Sequence, residues 1–304
     1  MMIKMEKKGE WLVGNLGDAE AGMPAGQLLR EQWKLPKKLV HLLFQHKDIL
    51  LDGLSVGQHV ITAAGQEIRL RVCQPEELGL APVTHPLTIL YEDDHLLVAD
   101  KPAGILLHPT EPGHQETLDH WVAGHFQRTG IQAKVRHIHR LDQDTSGAVL
   151  YAKHALAAAL LDERLRLRQI KRNYIAFVHG QLKQKQGTID QPIGRDRHHP
   201  QRRRVSPHGE TAITHFLVRQ SWRDAALLEC RLDTGRTHQI RVHLSYLGHP
   251  LIGDVLYGGR AEFGLKRQAL HAERLRFLHP FGEQEIEVYA DWPPELLELQ
   301  QRLS

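Results

Sequence analysis

Cysteine is scarce in this sequence, and long apolar runs are missing. Cys73 and Cys230 are the only cysteines among 304 residues, and each lies in an apolar stretch. We therefore expect buried free thiols, with one disulfide as the alternative, and no cysteine-based zinc site. No apolar run reaches the roughly 18 residues of a transmembrane helix, and no signal peptide follows the charged residues 1–8. The expected location is the cytoplasm, with no membrane partner.

A clear excess of one charge sign is also missing. Lysine and arginine together number 39, against 36 for aspartate and glutamate, and the sequence pI is about 8.8. Histidine is frequent, with 22 residues that would add positive charge below neutral pH. This balance suits a protein that touches nucleic acid locally, but many enzymes without a polyanionic partner share it. Local clusters therefore carry more information than the net charge.

The first 80 residues are predicted to form a small separate unit. Residues 24–47 indicate two short helices, and residues 49–51 indicate a short strand. Asp52-Gly53 is a turn signal, and residues 56–61 and 67–72 are predicted to be further strands. Two prolines and little periodicity over residues 76–86 indicate a linker, and the domain division assigns residues 81–87 to it.

Residues 88–304 are predicted to form one α+β domain, because strand-like segments alternate with two helical ones. The predicted helices are residues 154–168 and 237–247. The predicted strands are residues 88–90, 96–99, 134–138, 148–151, 173–180, 211–220 and 225–232.

The most informative segment is residues 139–147 (HRLDQDTSG), which lies between two predicted strands. It places Asp142 on a loop, next to a basic residue and before a small Thr-Ser-Gly turn. A carboxylate held in this way is a candidate catalytic acid. The alternative is a turn or cap residue, a role that Asp144 fits better because it directly precedes the turn.

The densest basic cluster is Arg202, Arg203 and Arg204, in a proline- and glycine-flanked stretch that indicates a loop or hairpin tip. Such a loop near an RNA site would contact phosphates, and a solvated loop is the alternative. A second basic group, Lys34, Lys37, Lys38 and His41, either lines a phosphate-facing helix or forms a solvated helical face.

Pairs of histidines raise the question of a metal site. His137 and His139 could share one face of a strand, whereas His238 and His243 are five apart on a helix and point to different faces. No Asp or Glu completes a familiar ligand set, so we predict no metal. Core or hydrogen-bonded histidines are the favoured interpretation.

Several motifs, in order, resemble those of the RluA-type RNA pseudouridine synthases, the branch that modifies uridines in large-subunit ribosomal RNA and transfer RNA. The resemblance covers about two thirds of the chain. The motifs are residues 91–98 (YEDDHLLV), 101–104 (KPAG), 108–109 (HP), 139–147 (HRLDQDTSG), 171–180 (KRNYIAFVHG), 234–244 (TGRTHQIRVHL), 253–254 (GD), 257–258 (YG), 270–272 (LHA) and 277–280 (FLHP).

The resemblance implies a fold: a mixed, largely antiparallel sheet with flanking helices and loops, and an active site in a basic cleft. The small N-terminal unit resembles a degenerate version of the S-four-type RNA-binding domain, first described in a ribosomal small-subunit protein. An unrelated small α+β cap is the alternative for that unit.

The resemblance also implies roles for individual residues. Asp142 would be the catalytic acid, Arg241 would form an ion pair with it, and Tyr174 would lie against the target base. Arg236 is a second candidate partner of Asp142 and a candidate RNA contact. Arg140 would fill the space that a flipped uridine leaves, and a phosphate contact or an ion pair with Asp144 is the plainer alternative.

The predicted function is therefore isomerisation of specific uridines in structured RNA, with ribosomal RNA first and transfer RNA second. The reaction gains and loses no atoms, so no cofactor is expected. RNA is the expected partner of a monomeric chain. A non-catalytic RNA-binding or assembly protein with the same fold is the main alternative. A metal-dependent nuclease built on the histidines and aspartates is the third, and activity that survives a chelator would refute it.

Overall fold

The protein is described by a computed structural model that covers residues 2–111 and 113–304. In its N-terminal part, a five-stranded antiparallel sheet in the order β1-β2-β5-β3-β4 packs against a short helical layer. Its elements are β1 (Glu6–Lys8), β2 (Trp11–Asn15), α1 (Ala25–Gln27), which continues as a π-helical turn (Leu28–Gln32), α2 (Lys37–Gln45), β3 (Ile49–Leu51), β4 (Leu54–Ser55) and β5 (Glu67–Arg71).

The predicted helices, the strand at residues 49–51 and the strand near residues 67–72 are confirmed, but the strand at residues 56–61 is wrong. Only Leu54–Ser55 pairs with β3 in this region. The following carbonyls of Gln58 and Val60 accept hydrogen bonds from the backbone N–H groups of Gly26 and Ala25. They satisfy donors that the start of a helix leaves free, so they are unavailable for a strand ladder.

The predicted linker lacks regular secondary structure, as expected, but it is packed against the larger unit. Residues 72–88 contain neither helix nor strand. Leu78, Leu80 and Val83 nevertheless pack against the core of the second unit. Val83 also donates a backbone hydrogen bond to His120. The segment is therefore held along the surface of the larger unit.

The larger unit is built on a ten-stranded sheet. Its strands are β6 (Ile89–Glu92), β7 (Leu96–Lys101), β8 (Arg136–His137), β9 (Ser146–Ala152), β10 (Lys171–His179), β11 (Gln186–Asp190), β14 (Ile213–Ser221), β15 (Ala225–Leu232), β16 (Leu270–Leu278) and β17 (Glu285–Tyr289). A separate hairpin joins β12 (Ile193–Arg195) to β13 (Arg203–Val205), and the helices are α3 (Leu118–Thr129), α4 (Ala155–Arg166), α5 (Gln239–Tyr246) and α6 (Pro294–Leu303).

The main path of the sheet runs β11-β14-β15-β10-β16-β9-β7-β6, with β17 beside β16 and β8 beside β9. Only the β16–β9 pair is parallel, and the other pairs are antiparallel. The predicted mixed, largely antiparallel α+β architecture is confirmed. Alternate residues of β10 enter different cores, since Tyr174 and Ala176 pack with α3 and α5, whereas Ile175 and Phe177 pack with α6.

The two units share one apolar core. Leu12 and Ile68 of the small sheet belong to the same buried cluster as Val98 and Leu150 of the large sheet. Both cysteines are free, as expected, with Cys230 buried and Cys73 only half-buried. In residues 2–111 and 113–304 no helix is long and apolar enough to cross a bilayer.

Candidate active site

Asp142 lies on the loop between β8 and β9, shortly before the point where β9 pairs in parallel with β16. Gly147 is the residue at which β9 meets Ala272 of β16. It adopts a φ of 114°, and a Cβ there would collide with the backbone of Ala272. Only glycine fits both demands, so the Thr-Ser-Gly turn fixes where the Asp142 loop leaves the sheet.

A buried lysine side chain holds the same loop in place through hydrogen bonds to backbone carbonyl groups. Lys101 is fully buried, and its Nζ donates to the carbonyl oxygens of Pro102 (2.9 Å), Gln143 (2.6 Å) and Thr145 (3.0 Å). Burial lowers the pKa of Lys101 to about 7, against the opposing pull of Asp144 and Asp142. Three acceptors on one ammonium leave the loop little freedom around Asp142.

Arg241, on α5, forms the predicted ion pair with Asp142. Its Nη1 donates to Asp142 Oδ2 at 3.2 Å, with the arginine side chain 8% exposed and the aspartate side chain 16% exposed. Burial alone would lower the pKa of Arg241, but the hydrogen bonds that it donates to Asp254 and the charge of Asp142 raise it. The guanidinium therefore stays charged and orients the carboxylate.

Asp254 is a second, deeper partner of Arg241 to which the sequence assigned no role. Its Oδ2 accepts from Nε at 2.7 Å and its Oδ1 from Nη2 at 2.9 Å, a bidentate pair. Asp254 is 2% exposed. The available signal was its place in the motif at residues 253–254.

His238 and Tyr257 complete the surroundings of Asp142. His238 precedes α5 in the left-handed conformation, with φ of 58°. Its Nδ1 shares a 2.8 Å hydrogen bond with the Tyr257 hydroxyl, and its Nε2 lies 4.0 Å from Asp142 Oδ2. Burial lowers the pKa of His238 although Asp142 raises it. Arg241 is therefore the cation that balances Asp142 at neutral pH.

Asp142, His238 and Arg241 line a cleft that is open to solvent. Tyr174 of β10 lies in its wall and is only 4% exposed, and burial raises the pKa of its hydroxyl. The cleft brings together the residues predicted to act in catalysis with two of the predicted RNA contacts: Arg140, Asp142, Tyr174, Arg236 and Arg241. Such a space holds a carboxylate, a fixed cation and an aromatic ring within reach of one ligand.

The two arginines at the cleft mouth differ from each other. Arg236 pairs with Glu210 and donates from Nε to the Thr211 carbonyl at 3.0 Å, so it is not the partner of Asp142. Arg140 is exposed and forms no ion pair with Asp144 or any other described residue. The suggestion that Arg140 pairs with Asp144 is therefore wrong.

The predicted basic loop is the β12–β13 hairpin, beside the cleft. The guanidinium of Arg202 lies over the ring of Tyr257, 5.5 Å from its centroid, and the backbone N–H of Arg203 donates to the Tyr257 hydroxyl at 2.9 Å. Arg203 lines a cavity shared with Arg140 and Arg236, whereas Arg204 is exposed. The hairpin thus extends the cleft wall with positive charge.

The paired histidines have structural partners. His137 Nδ1 contacts Asp119 Oδ2 at 3.0 Å, and His139 accepts from the Leu150 N–H at 3.3 Å. His243 hydrogen-bonds Thr214 on a different face of α5 from His238. Within the described part of the chain, no group of three or more His, Cys, Asp or Glu is arranged to hold a metal ion.

Comparison with known proteins identifies the family. The model of the RNA pseudouridylate synthase family matches residues 95–246, which include the whole Asp142 loop, β10 and α5. The chain belongs to the RNA pseudouridylate synthases. It is an enzyme, an isomerase that acts on RNA, and the catalytic interpretation prevails over the non-catalytic binder. A second model, the N-terminal domain of the ribosomal pseudouridine synthase RluD, matches residues 16–68 of this synthase.

Individual relatives agree with this assignment. RNA pseudouridine synthase YhcT of Bacillus subtilis is 44% identical over 97% of this chain and 98% of its own length. Ribosomal large subunit pseudouridine synthase D of Xanthomonas campestris is 39% identical over 84% of this chain and 81% of its own length. The solved structure of human RNA pseudouridylate synthase domain containing 4 matches with a TM-score of 0.59 at 26% identity, over 71% of this synthase and 92% of the human chain.

Proposed function

We propose that this synthase isomerises one or a few uridines of large-subunit ribosomal RNA, with Asp142 as the catalytic aspartate and Tyr174 and Arg241 as its partners. The observation that carries the assignment is the ion pair between Asp142 and Arg241 in a cleft lined by Tyr174. The substrate class is supported by the relatives named ribosomal large subunit pseudouridine synthase D. Transfer RNA is the second candidate.

Asp142 acts on the ribose of the target nucleotide. Its carboxylate either attacks the anomeric carbon or removes a proton from the ribose. In both cases the bond from uracil N1 to the ribose breaks, the base turns, and C5 joins the ribose. The partial exposure of Asp142 supports this role, because a structural aspartate at this depth would have no need to face the cleft.

Arg241 orients the carboxylate of Asp142 in the cleft. Three fixed bonds, two to Asp254 and one to Asp142, leave the guanidinium a single orientation. Lysine would lack the planar fork that these bonds use.

Tyr174 forms the surface on which the uracil stacks. Its hydroxyl would serve in proton transfer at the carbon of the base. The absence of a fixed hydrogen-bond partner for this hydroxyl within residues 2–111 and 113–304 supports a role toward a ligand.

Arg140 and the β12–β13 hairpin bind the RNA around the target. Arg140 is exposed at the cleft mouth and has no ion-pair partner among residues 2–111 and 113–304, which supports insertion into the space that the flipped uridine vacates. Arg202, Arg203, Arg204 and Arg236 would contact phosphates and make the affinity dependent on salt.

The domain limits are part of the same proposal. We place an RNA-binding domain at residues 1–80, a linker at 81–87 and the catalytic domain at 88–304. The lack of helix or strand over residues 72–88 supports this division. We also propose that the protein is a monomer, and a ribosomal RNA substrate supports a cytoplasmic location.

Chemical mapping of pseudouridine in cellular RNA tests the proposal. Cells with and without this synthase are compared using a reagent that marks pseudouridine. Loss of signal at one or a few uridines of large-subunit ribosomal RNA is expected. Loss only in transfer RNA would change the substrate, and an unchanged map in both RNAs would refute the proposal.

A further inference from the structure

Arg172 is a buried arginine in the wall of the cleft. It precedes Tyr174 by two positions on β10, so both side chains point to the same face of the sheet. Arg172 is 6% exposed, and it lines the same cleft as Asp142 and Tyr174.

The guanidinium of Arg172 has no anionic partner among the described residues. Its Nη2 makes one long hydrogen bond, of 3.4 Å, to the Thr234 carbonyl. Its Nε is buried without any acceptor. Buried arginines are normally paired, because a charge removed from water without compensation is costly. The missing partner is therefore expected to be a ligand of the cleft.

The lack of a side chain at Gly235 leaves room for this guanidinium. A Cβ at Gly235 would lie 2.8 Å from Nη1 of Arg172, closer than such contacts occur. Gly235 belongs to the segment that leads into α5 and hence to Arg241. The absence of a side chain at this point leaves room for a cation beside the catalytic pair.

We propose that Arg172 is a further catalytic residue, which donates hydrogen bonds to a carbonyl oxygen of the target uracil and stabilises the base as an anion. This inference rests on the proposed function. Fixed donors are most effective where charge develops during a reaction, and the detached base is such a place.

The electron pair that the base receives during the reaction favours a cation next to the base. When the bond from C1′ to N1 breaks, its electron pair goes to N1, and the charge spreads over N1, O2 and O4. C5 then forms a bond to C1′, and at that stage Asp142 either leaves C1′ or returns the ribose proton. The proton on C5 is finally lost and N1 gains one, so the product is an isomer of uridine and no co-reactant is needed.

A phosphate is the other ligand that a guanidinium fork favours. The depth of Arg172 favours the base instead. Arg140, at the cleft mouth, is exposed and suited to the RNA backbone, whereas Arg172 is buried in the cleft wall near Tyr174.

The test compares Arg172→Met, Arg172→Lys and a matched control, Arg231→Met, which removes an exposed arginine from the opposite face of the same sheet. Single-turnover formation of pseudouridine is measured at saturating enzyme, together with RNA affinity. We expect Arg172→Met to slow the reaction by about 10²–10³-fold with little change in affinity. Arg172→Lys should recover part of the rate, and Arg231→Met should match the wild type.

RNA with 2-thiouridine or 4-thiouridine at the target locates the contact. Sulfur is a weaker acceptor than oxygen, so one of the two substitutions should slow the wild type but not Arg172→Met. If that variant fails to fold, Arg172→Lys takes its place in this comparison.

Three results would overturn the inference. They are a wild-type rate in Arg172→Met, equal sensitivity of wild type and variant to both thio substitutions, and a loss of affinity that accounts for the whole rate defect, which would indicate a phosphate contact. A wild-type protein that forms no pseudouridine in any RNA would instead refute the proposed function, and this inference with it.

Discussion

Strand β10 carries basic side chains on both faces of the large sheet, and the two faces hold these charges differently. On the cleft face, Arg172 lies beside Tyr174 and near the Asp142–Arg241 pair. The opposite face forms a groove, here called the back groove, which is lined by Lys171, Asn173, His215, Phe216, Leu217, Glu229, Arg231, Arg274 and Arg276.

The charged side chains on the two faces differ in their burial and in the parts of the chain that supply their ion-pair partners. Arg241 is 8% exposed at its side chain and is fixed by two aspartates from distant parts of the chain. Arg274 and Arg276 are more exposed and pair with Glu287 and Glu285 on the neighbouring strand. Exposed pairs of this kind hold their charges weakly. A cluster of positive charge is therefore not sufficient to identify the active site. The active site is distinguished by a buried arginine that two aspartates hold in place.

The largest effect expected among partner residues follows from Arg241→Met. It leaves Asp254 buried without a cation, which costs about 3–5 kcal/mol of stability, and it releases Asp142. Turnover should fall by about 10²–10³-fold. Urea unfolding and single-turnover rates measure the two effects. A folded variant with wild-type turnover would show that the cleft pair is dispensable.

Asp254→Asn should have a smaller effect, because it keeps the shape and one acceptor but removes the charge. Charge-assisted hydrogen bonds are roughly twice as strong as neutral ones, so Arg241 should be held less firmly and turnover should fall roughly tenfold. The measurement is the same single-turnover rate. A defect as large as that of Arg241→Met would mean that Asp254 acts in the reaction itself.

The hairpin triple variant Arg202→Gln, Arg203→Gln, Arg204→Gln should change binding more than chemistry. If the three arginines contact phosphates, the slope of log affinity against log salt falls by about 2 units, at about 0.7 per phosphate of a single strand. Turnover at saturating enzyme should stay near that of the wild type. An unchanged salt slope would favour the solvated-loop interpretation.

The smallest effect is expected from the back-groove triple variant Arg231→Gln, Arg274→Gln, Arg276→Gln. It removes the same charge as the hairpin variant from the other face of the sheet, so it is the matched control. Both the salt slope and turnover should match the wild type. A salt slope reduced as much as in the hairpin variant would erase the distinction between the two faces.

Much of the fold could be predicted from the sequence, because local patterns and turn signals dominate in β10, β15 and α5. The segment at residues 56–61 could not, because its backbone groups serve a helix start far away in sequence. The antiparallel hairpin of β1 and β2 was also missed, since its strands are short and β5, the other partner of β2, is distant in sequence.

The family motifs identify the predicted site residues, which lie together. The residues that hold them in place could be identified only from the structure. Asp142, Tyr174 and Arg241 share one cleft as expected. Asp254 and Lys101 belong to motifs, but nothing in their spacing reveals that one clamps Arg241 and the other holds the Asp142 loop. Such roles depend on contacts between residues far apart in sequence.

The most direct test of the account is single-turnover pseudouridine formation by Asp142→Asn, with the wild type and Arg231→Met beside it, on a large-subunit ribosomal RNA transcript. Asparagine keeps the shape of the side chain but neither attacks the ribose nor removes its proton. The account predicts no detectable product, with RNA affinity and the unfolding midpoint near those of the wild type. Product at the wild-type rate would contradict it.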